Sequence, residues 1–103
     1  MSSEYIYLFT RSDLSRQQQI IQTAHAIHEV GIRREYDESN KVPNAVLIDV
    51  KSENDLLEIV EYLENNKIEY EMFYEPDISA HTAIATYPIK GDDRKHFRHF
   101  NLM

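Results

Sequence analysis

Tyr5–Phe9, a short unbroken apolar run reading YIYLF, leads straight into a stretch from Ser15 to Glu29 whose polar and apolar side chains recur every three to four positions. The run shows no alternation, which suits a strand buried on both faces. The stretch has the period of an amphipathic helix. Asp13 or Ser15 can cap it, and Ser15 with Gln18 three residues on makes a capping box. A buried strand feeding a capped helix is the opening of an α/β unit, and it constrains the rest of the chain. Gln18, Gln22, His25 and Glu29 fall at i, i+4, i+7 and i+11, so all four share one helix face. Ile20, Ile21, Ala24, Ile27 and Val30 lie on the other side and are expected to supply the core contact. The polar stripe is then either solvated surface or the wall of a site.

The helix should fade near Gly31, with Arg33 and Arg34 favouring its negative end. The polar stretch 35–44 contains Pro43 and reads as a loop. Ala45–Val50 is a second buried strand, interrupted by Asp49. Ser52 caps a second helix whose buried stripe is Leu56, Ile59, Val60 and Leu63. Ile68–Tyr74 alternates as a half-exposed or edge strand, residues 75–79 (EPDIS) turn, and Thr82–Tyr87 is a fourth strand. Asp92 or Asp93 starts a short final helix through Phe100. The order β-α-β-α-β-β-α predicts a three-layer α/β fold: a mixed four-stranded sheet flanked by helices, in a single domain spanning 1–103.

With no cysteine, the chain can form no disulfide and carry out no thiolate chemistry. No apolar run approaches the ~20 residues of a membrane span, and MSSEYIYLF has no basic n-region, so neither membrane insertion nor a signal peptide is expected. These features fit a cytoplasmic location. The net charge of −7 repels phosphate at long range. Acidic side chains crowd residues 42–81, whereas residues 90–103 carry Lys90, Arg94, Lys95 and Arg98 against Asp92 and Asp93.

Two glycines leave no room for a phosphate-cradling Gly-rich loop. The turn before the fourth strand gathers Glu75, Asp77, Ser79, His81 and Thr82. Sites in α/β sheets sit outside the carboxyl ends of strands. If the third strand runs parallel to the first, this turn and the stripe Gln18–Gln22–His25 share one end and face each other. His25, His28 and Glu29, and separately His96 and His99, have spacing that a helix would allow for a metal. Such spacing is common, so no metal and no cofactor are expected.

RSDLS followed by QxxHA (Gln22, His25, Ala26), the segment SENDLLEIVEYLENNKIEYEMF, a turn, a Thr-containing strand ending at Pro88 and a closing HFNL together resemble the type 2 peptidyl-tRNA hydrolase family. Arg11, Asp13, Leu14, Gln22, His25 and Ala26 match that family's R-x-D-L and Q-x-x-H-A motifs. Thr82 falls on the second Thr of its strand motif, and His99 and Leu102 on its closing motif. Gln18, Asp49 and Asn101 stand where the family has lysines. EPDIS replaces its D-A-G-x-T turn, which leaves Glu75 or Asp77 as the turn carboxylate and Ser79 in place of the turn Thr.

The resemblance implies a mixed four-stranded sheet, a homodimer, and metal-free hydrolysis of the ester joining a peptide to the 3′ end of tRNA. Asp77 or Glu75, directly or through Thr82, would then activate water, and Gln18, Gln22 or His25 would donate to the oxyanion. The tRNA would be held by Arg11, Arg16 and the helix amino end, with Glu75 and Ser79 near the substrate, or by Arg94, Lys95 and Arg98. The competing reading is a catalytically inactive member of the same fold, serving as a binding or regulatory module.

Overall fold

The computed structural model describes residues 4–33 and 43–100. The strands are β1 (Glu4–Arg11), β2 (Asn44–Val50), β3 (Tyr70–Glu75), β4 (Ala80–Thr86) and β5 (Ile89–Lys90). The helices are α1 (Arg16–Arg33) and α2 (Glu53–Asn65), and two 3₁₀ segments span Pro76–Ile78 and Gly91–Phe97. The sheet runs β2-β1-β4-β3. β2 is parallel to β1, β4 is antiparallel to β1, and β3 is antiparallel to β4. β3 therefore runs parallel to β1, which sets the turn after β3 beside the start of α1.

The expected three-layer α/β fold with a mixed sheet is present, with one addition and one change. The two-residue β5 pairs with the start of β1, Glu4 to Lys90 and Tyr5 to Ile89. The final helical segment is 3₁₀ and opens at Gly91, whose φ of 54° belongs to the left-handed region open to glycine. The expected loop at 35–44 and the positions Arg34, Asn101 and Leu102 lie wholly or mostly outside the described residues. No helix among the described residues is long and apolar enough to cross a membrane.

α2 folds as its sequence dictates. Ser52 Oγ accepts the Asp55 amide at 3.3 Å, Asp55 Oδ2 accepts the Lys51 amide at 3.0 Å, and Leu56, Ile59 and Leu63 are buried. With Tyr7, Phe9, Ile48, Ile84 and Phe97 they form the larger core, between the sheet and α2. The Phe97 ring stacks on Tyr7 at 3.9 Å. The smaller core lies under α1 and consists of Leu8, Ala26, Val30, Ala83 and Ala85.

α1 is turned the other way from its apolar pattern. The buried positions are Gln19, Gln22, Ala26 and Val30, whereas Ile20 is 65% exposed and Ile21 and Ile27 are exposed too. Only Val30 of the expected apolar face is buried. The sheet surface beneath, paved by Ala83 and Ala85, lets the helix approach closely. Gln22 is compensated there by hydrogen bonds at both ends of its amide and Gln19 through its nitrogen, bonds which an isoleucine face could not make. α1 ends at Arg33, two residues past Gly31, with that arginine in its last turn as expected.

Candidate functional site

The site begins with a β-bulge. Phe73 pairs with Ala83 and the next residue, Tyr74, pairs with His81, so Thr82 is an extra residue in β4. A regular pleat would put residues 81 and 83 on one face. Here Ala83 joins the core under α1, whereas the His81 amide reaches Glu53 at the start of α2, donating to Oε2 at 2.7 Å. The Thr82 side chain, fully buried, is aimed at α1.

Its hydroxyl donates to Gln22 Oε1 at 3.2 Å and lies 3.5 Å from the Phe73 carbonyl oxygen. Gln22, 2% exposed, donates through Nε2 to Gln18 Oε1 and to Glu75 Oε2, both at 3.1 Å. An amide nitrogen carries two protons, so both are committed. Glu75 Oε1 accepts the Asp77 amide at 3.2 Å, which caps the 3₁₀ turn. Each Glu75 oxygen keeps acceptor capacity. Gln18 also sits one turn outside: its backbone amide donates to Ser15 Oγ at 3.1 Å, closing half of the expected capping box, while its side chain serves Gln22 instead of returning to Ser15.

α1 runs antiparallel above β3, and their side chains meet in sequence. Gln18 and Gln22 meet Glu75, the His25 ring stacks on Phe73 at 4.5 Å, and Arg33 pairs with Glu71 at 3.2 Å. The expected polar stripe thus confronts the turn before β4. The carboxylate that engages it directly is Glu75, whereas Asp77 contributes its backbone and has an exposed side chain. Ser79 ends the 3₁₀ turn with φ 50° and is exposed.

The arginines divide. Arg11 forms a two-point pair with Asp13, Nε to Oδ1 at 2.9 Å and Nη2 to Oδ2 at 2.8 Å, and donates from Nη1 to the His81 carbonyl oxygen at 2.9 Å. The bond from Arg11 holds the Asp13 carboxyl below the usual carboxylate range, and the same bond raises the guanidinium. Arg16 opens α1 and is exposed. Arg94 lies at the far end of the sheet, 3.6 Å over the Tyr5 ring and 3.1 Å from the Tyr7 hydroxyl. Arg94, Lys95 and Arg98 are therefore remote from the glutamine site, because β5 ties their segment to the start of β1.

Two features escape a linear reading. Glu53 Oε2 lies 3.5 Å from His81 Nδ1, so a carboxylate–imidazole pair occupies the opposite face of the same sheet end. Thr10 Oγ1, Gln19 Oε1 and Asp49 Oδ1 are buried without a hydrogen-bond partner among the described residues. Thr10 and Asp49 are register partners on β1 and β2. No three His, Asp or Glu side chains among the described residues are placed to hold a metal.

No family model and no curated protein matches the chain. A solved protein of unknown function from Agrobacterium tumefaciens superposes on 100% of this chain and 99% of its own, with a TM-score of 0.68 and 15% sequence identity. That likeness establishes a shared fold.

Proposed function

We propose that the protein is a peptidyl-tRNA hydrolase-like ester hydrolase acting without metal, with Glu75, Gln18, Gln22 and Thr82 at its centre. The observation that carries this reading is the committed Gln22 amide, which joins a turn carboxylate, a buried hydroxyl and a second amide at the carboxyl ends of β1 and β3. Glu75 takes the proton of the attacking water, since both its oxygens can still accept. Gln22, with no free donor, positions Glu75. The outward amide of Gln18 donates to the developing oxyanion, and the imidazole of His25, about two turns further along and stacked on Phe73, flanks the site. Asp77, Ser79 and Arg16 form the exposed approach, where the amino end of α1 favours a phosphate. The proposal extends to a cytoplasmic location, which a cysteine-free sequence fits, and to a homodimer, which the resemblance implies.

Incubation with peptidyl-tRNA at low salt, followed by resolution of free tRNA, tests this. Turnover that falls about 10²-fold or more in Glu75→Gln is expected. Absence of turnover in the wild type removes the hydrolase reading. A second reading, a non-catalytic binding module, is favoured by Arg11, whose charge is taken up by Asp13. It requires RNA or protein binding that survives Glu75→Gln unchanged.

A further inference from the structure

The 3₁₀ segment Gly91–Phe97 does more than close the sheet beside the amino end of β1: it borders a cavity on the side of the sheet away from α1. Tyr7 and Val46, register partners on β1 and β2, form part of the wall. Phe97 and Phe100 extend it, Gly91 leaves one edge without a side chain, and Arg94 and Arg98 supply charge. No acidic side chain among the described residues lines it. The volume is about 350 Å³, at the small end of organic-ligand sites, which span about 300–1,000 Å³.

Arg94 is held ready for an anion. Its Nε donates to the Tyr7 hydroxyl at 3.1 Å, and its guanidinium carbon lies 3.6 Å from the centroid of the Tyr5 ring. Tyr7 is fixed in turn by its stack with Phe97, 8° from parallel. A guanidinium carries further protons on its two Nη atoms, and among the described residues no acceptor takes them. That free edge is a planar two-point donor. Exposed ion pairs are weak partly because two mobile side chains must be ordered. Here one partner is ordered before the ligand arrives, which removes much of that cost.

We propose that this cavity binds a small aromatic carboxylate. The carboxylate takes the free edge of Arg94, with exposed Arg98 adding a second positive charge at the rim. Tyr7 and Phe97 are buried and hold the wall in place, whereas Val46 and Phe100 are half-buried and keep surface for the ligand's ring. The net charge of −7 opposes polyanions, and Asp92 and Asp93 precede the arginines in sequence. A single carboxylate meets the least of that repulsion, which favours it over RNA or a phosphate dianion. The cavity lies at the opposite end of β1 from the Glu75 turn. It does not depend on the hydrolase reading.

Titration of the whole chain with cinnamate, followed by amide NMR, tests the proposal. The two glycines are internal reporters: the Gly91 amide should shift, and that of Gly31, on α1, should not. A Kd of about 1 mM or tighter is expected, with uncharged cinnamyl alcohol at least about tenfold weaker. Arg94→Lys keeps the charge but loses the planar fork, and should weaken cinnamate about tenfold. Val46→Phe leaves Arg94 intact, fills the cavity and should weaken binding by a similar factor; circular dichroism checks that both variants fold. A wild type that fails to bind at millimolar cinnamate overturns the proposal. So does equal binding of the alcohol, a Gly31 shift without a Gly91 shift, or undiminished binding by either folded variant. Displacement of cinnamate by equimolar inorganic phosphate or single-stranded RNA also overturns it, because the cavity would then read charge alone.

Discussion

Replacing Gln22 with Leu removes three hydrogen bonds in a place where water cannot substitute. Gln22 is 2% exposed and Thr82 fully buried. The Thr82 hydroxyl would keep only its 3.5 Å approach to the Phe73 carbonyl, a marginal bond. Stranding a buried hydroxyl costs about 1–3 kcal/mol, partly offset by the apolar leucine. Thr82→Val alone leaves Gln22 Oε1 without a partner, at a cost of the same order. When both partners are apolar no buried group is stranded, so Gln22→Leu/Thr82→Val should be less destabilised than the sum of the singles by about 1 kcal/mol or more. The assay is a double-mutant cycle by urea unfolding, in which m-values of about 1–3 kcal/mol/M turn that coupling into a shift of a few tenths of a molar or more in midpoint. Additivity within about 0.3 kcal/mol would show that the two side chains do not share a buried bond. Activity serves as a separate readout, since the double variant should regain stability and still fail to turn over ester.

Three further outcomes are expected. Ser79 has φ 50°, so Ser79→Gly should relieve left-handed strain and raise stability by up to about 1 kcal/mol net of glycine's entropy cost; an unchanged or lower thermal midpoint contradicts this. Asp13 has its pKa lowered by Arg11, so its contribution is present above the unfolded value of about 3.9 and is lost as pH falls through the folded one. Acidification should therefore cost the wild type more than Asp13→Asn, judged by urea midpoints at neutral and acid pH, and parallel losses refute it. Burial first, then the bond to Glu71, pushes the Tyr87 hydroxyl up to about 12. The unfolded chain ionises near 10, so stability should fall between those two pH values, and Tyr87→Phe should blunt the fall.

The sheet was legible because its signals are local. YIYLF is apolar without a break, Ser52 and Asp55 cap α2, and Leu56, Ile59 and Leu63 keep its period. The facing of α1 was not legible in the same way. Its isoleucines make the stronger apolar stripe, yet Gln22 bonds to Glu75 and Thr82, more than fifty residues away, and these long-range partners decide which face turns inward. A signal was available in the pattern Gln22, Ala26, Val30, a narrow stripe that fits a surface of small residues. That Glu75 and not Asp77 meets α1 follows from the capped 3₁₀ turn, since Glu75 is the last residue of β3 and shares the face of Phe73. Glu53 facing His81 had no local signal, because the two come together only through the bulge and the α2 crossover. β5 is two residues long, too short to leave a periodic trace.

The extra residue in β4 makes that strand sensitive to length as well as to chemistry. Removing Thr82 would do more than delete a hydroxyl: His81 would stand directly before Ala83, the bulge would close into a regular pleat, and Ala80 and His81 would keep the faces and strand partners they have now. His81 would stay toward Glu53, and the helix bearing Gln22 would lose the hydroxyl that the extra residue points at it. Any relative with an unbroken β4 must therefore differ from this chain by one position there, and its residues can be compared with these only after a single-residue gap is placed between 81 and 83.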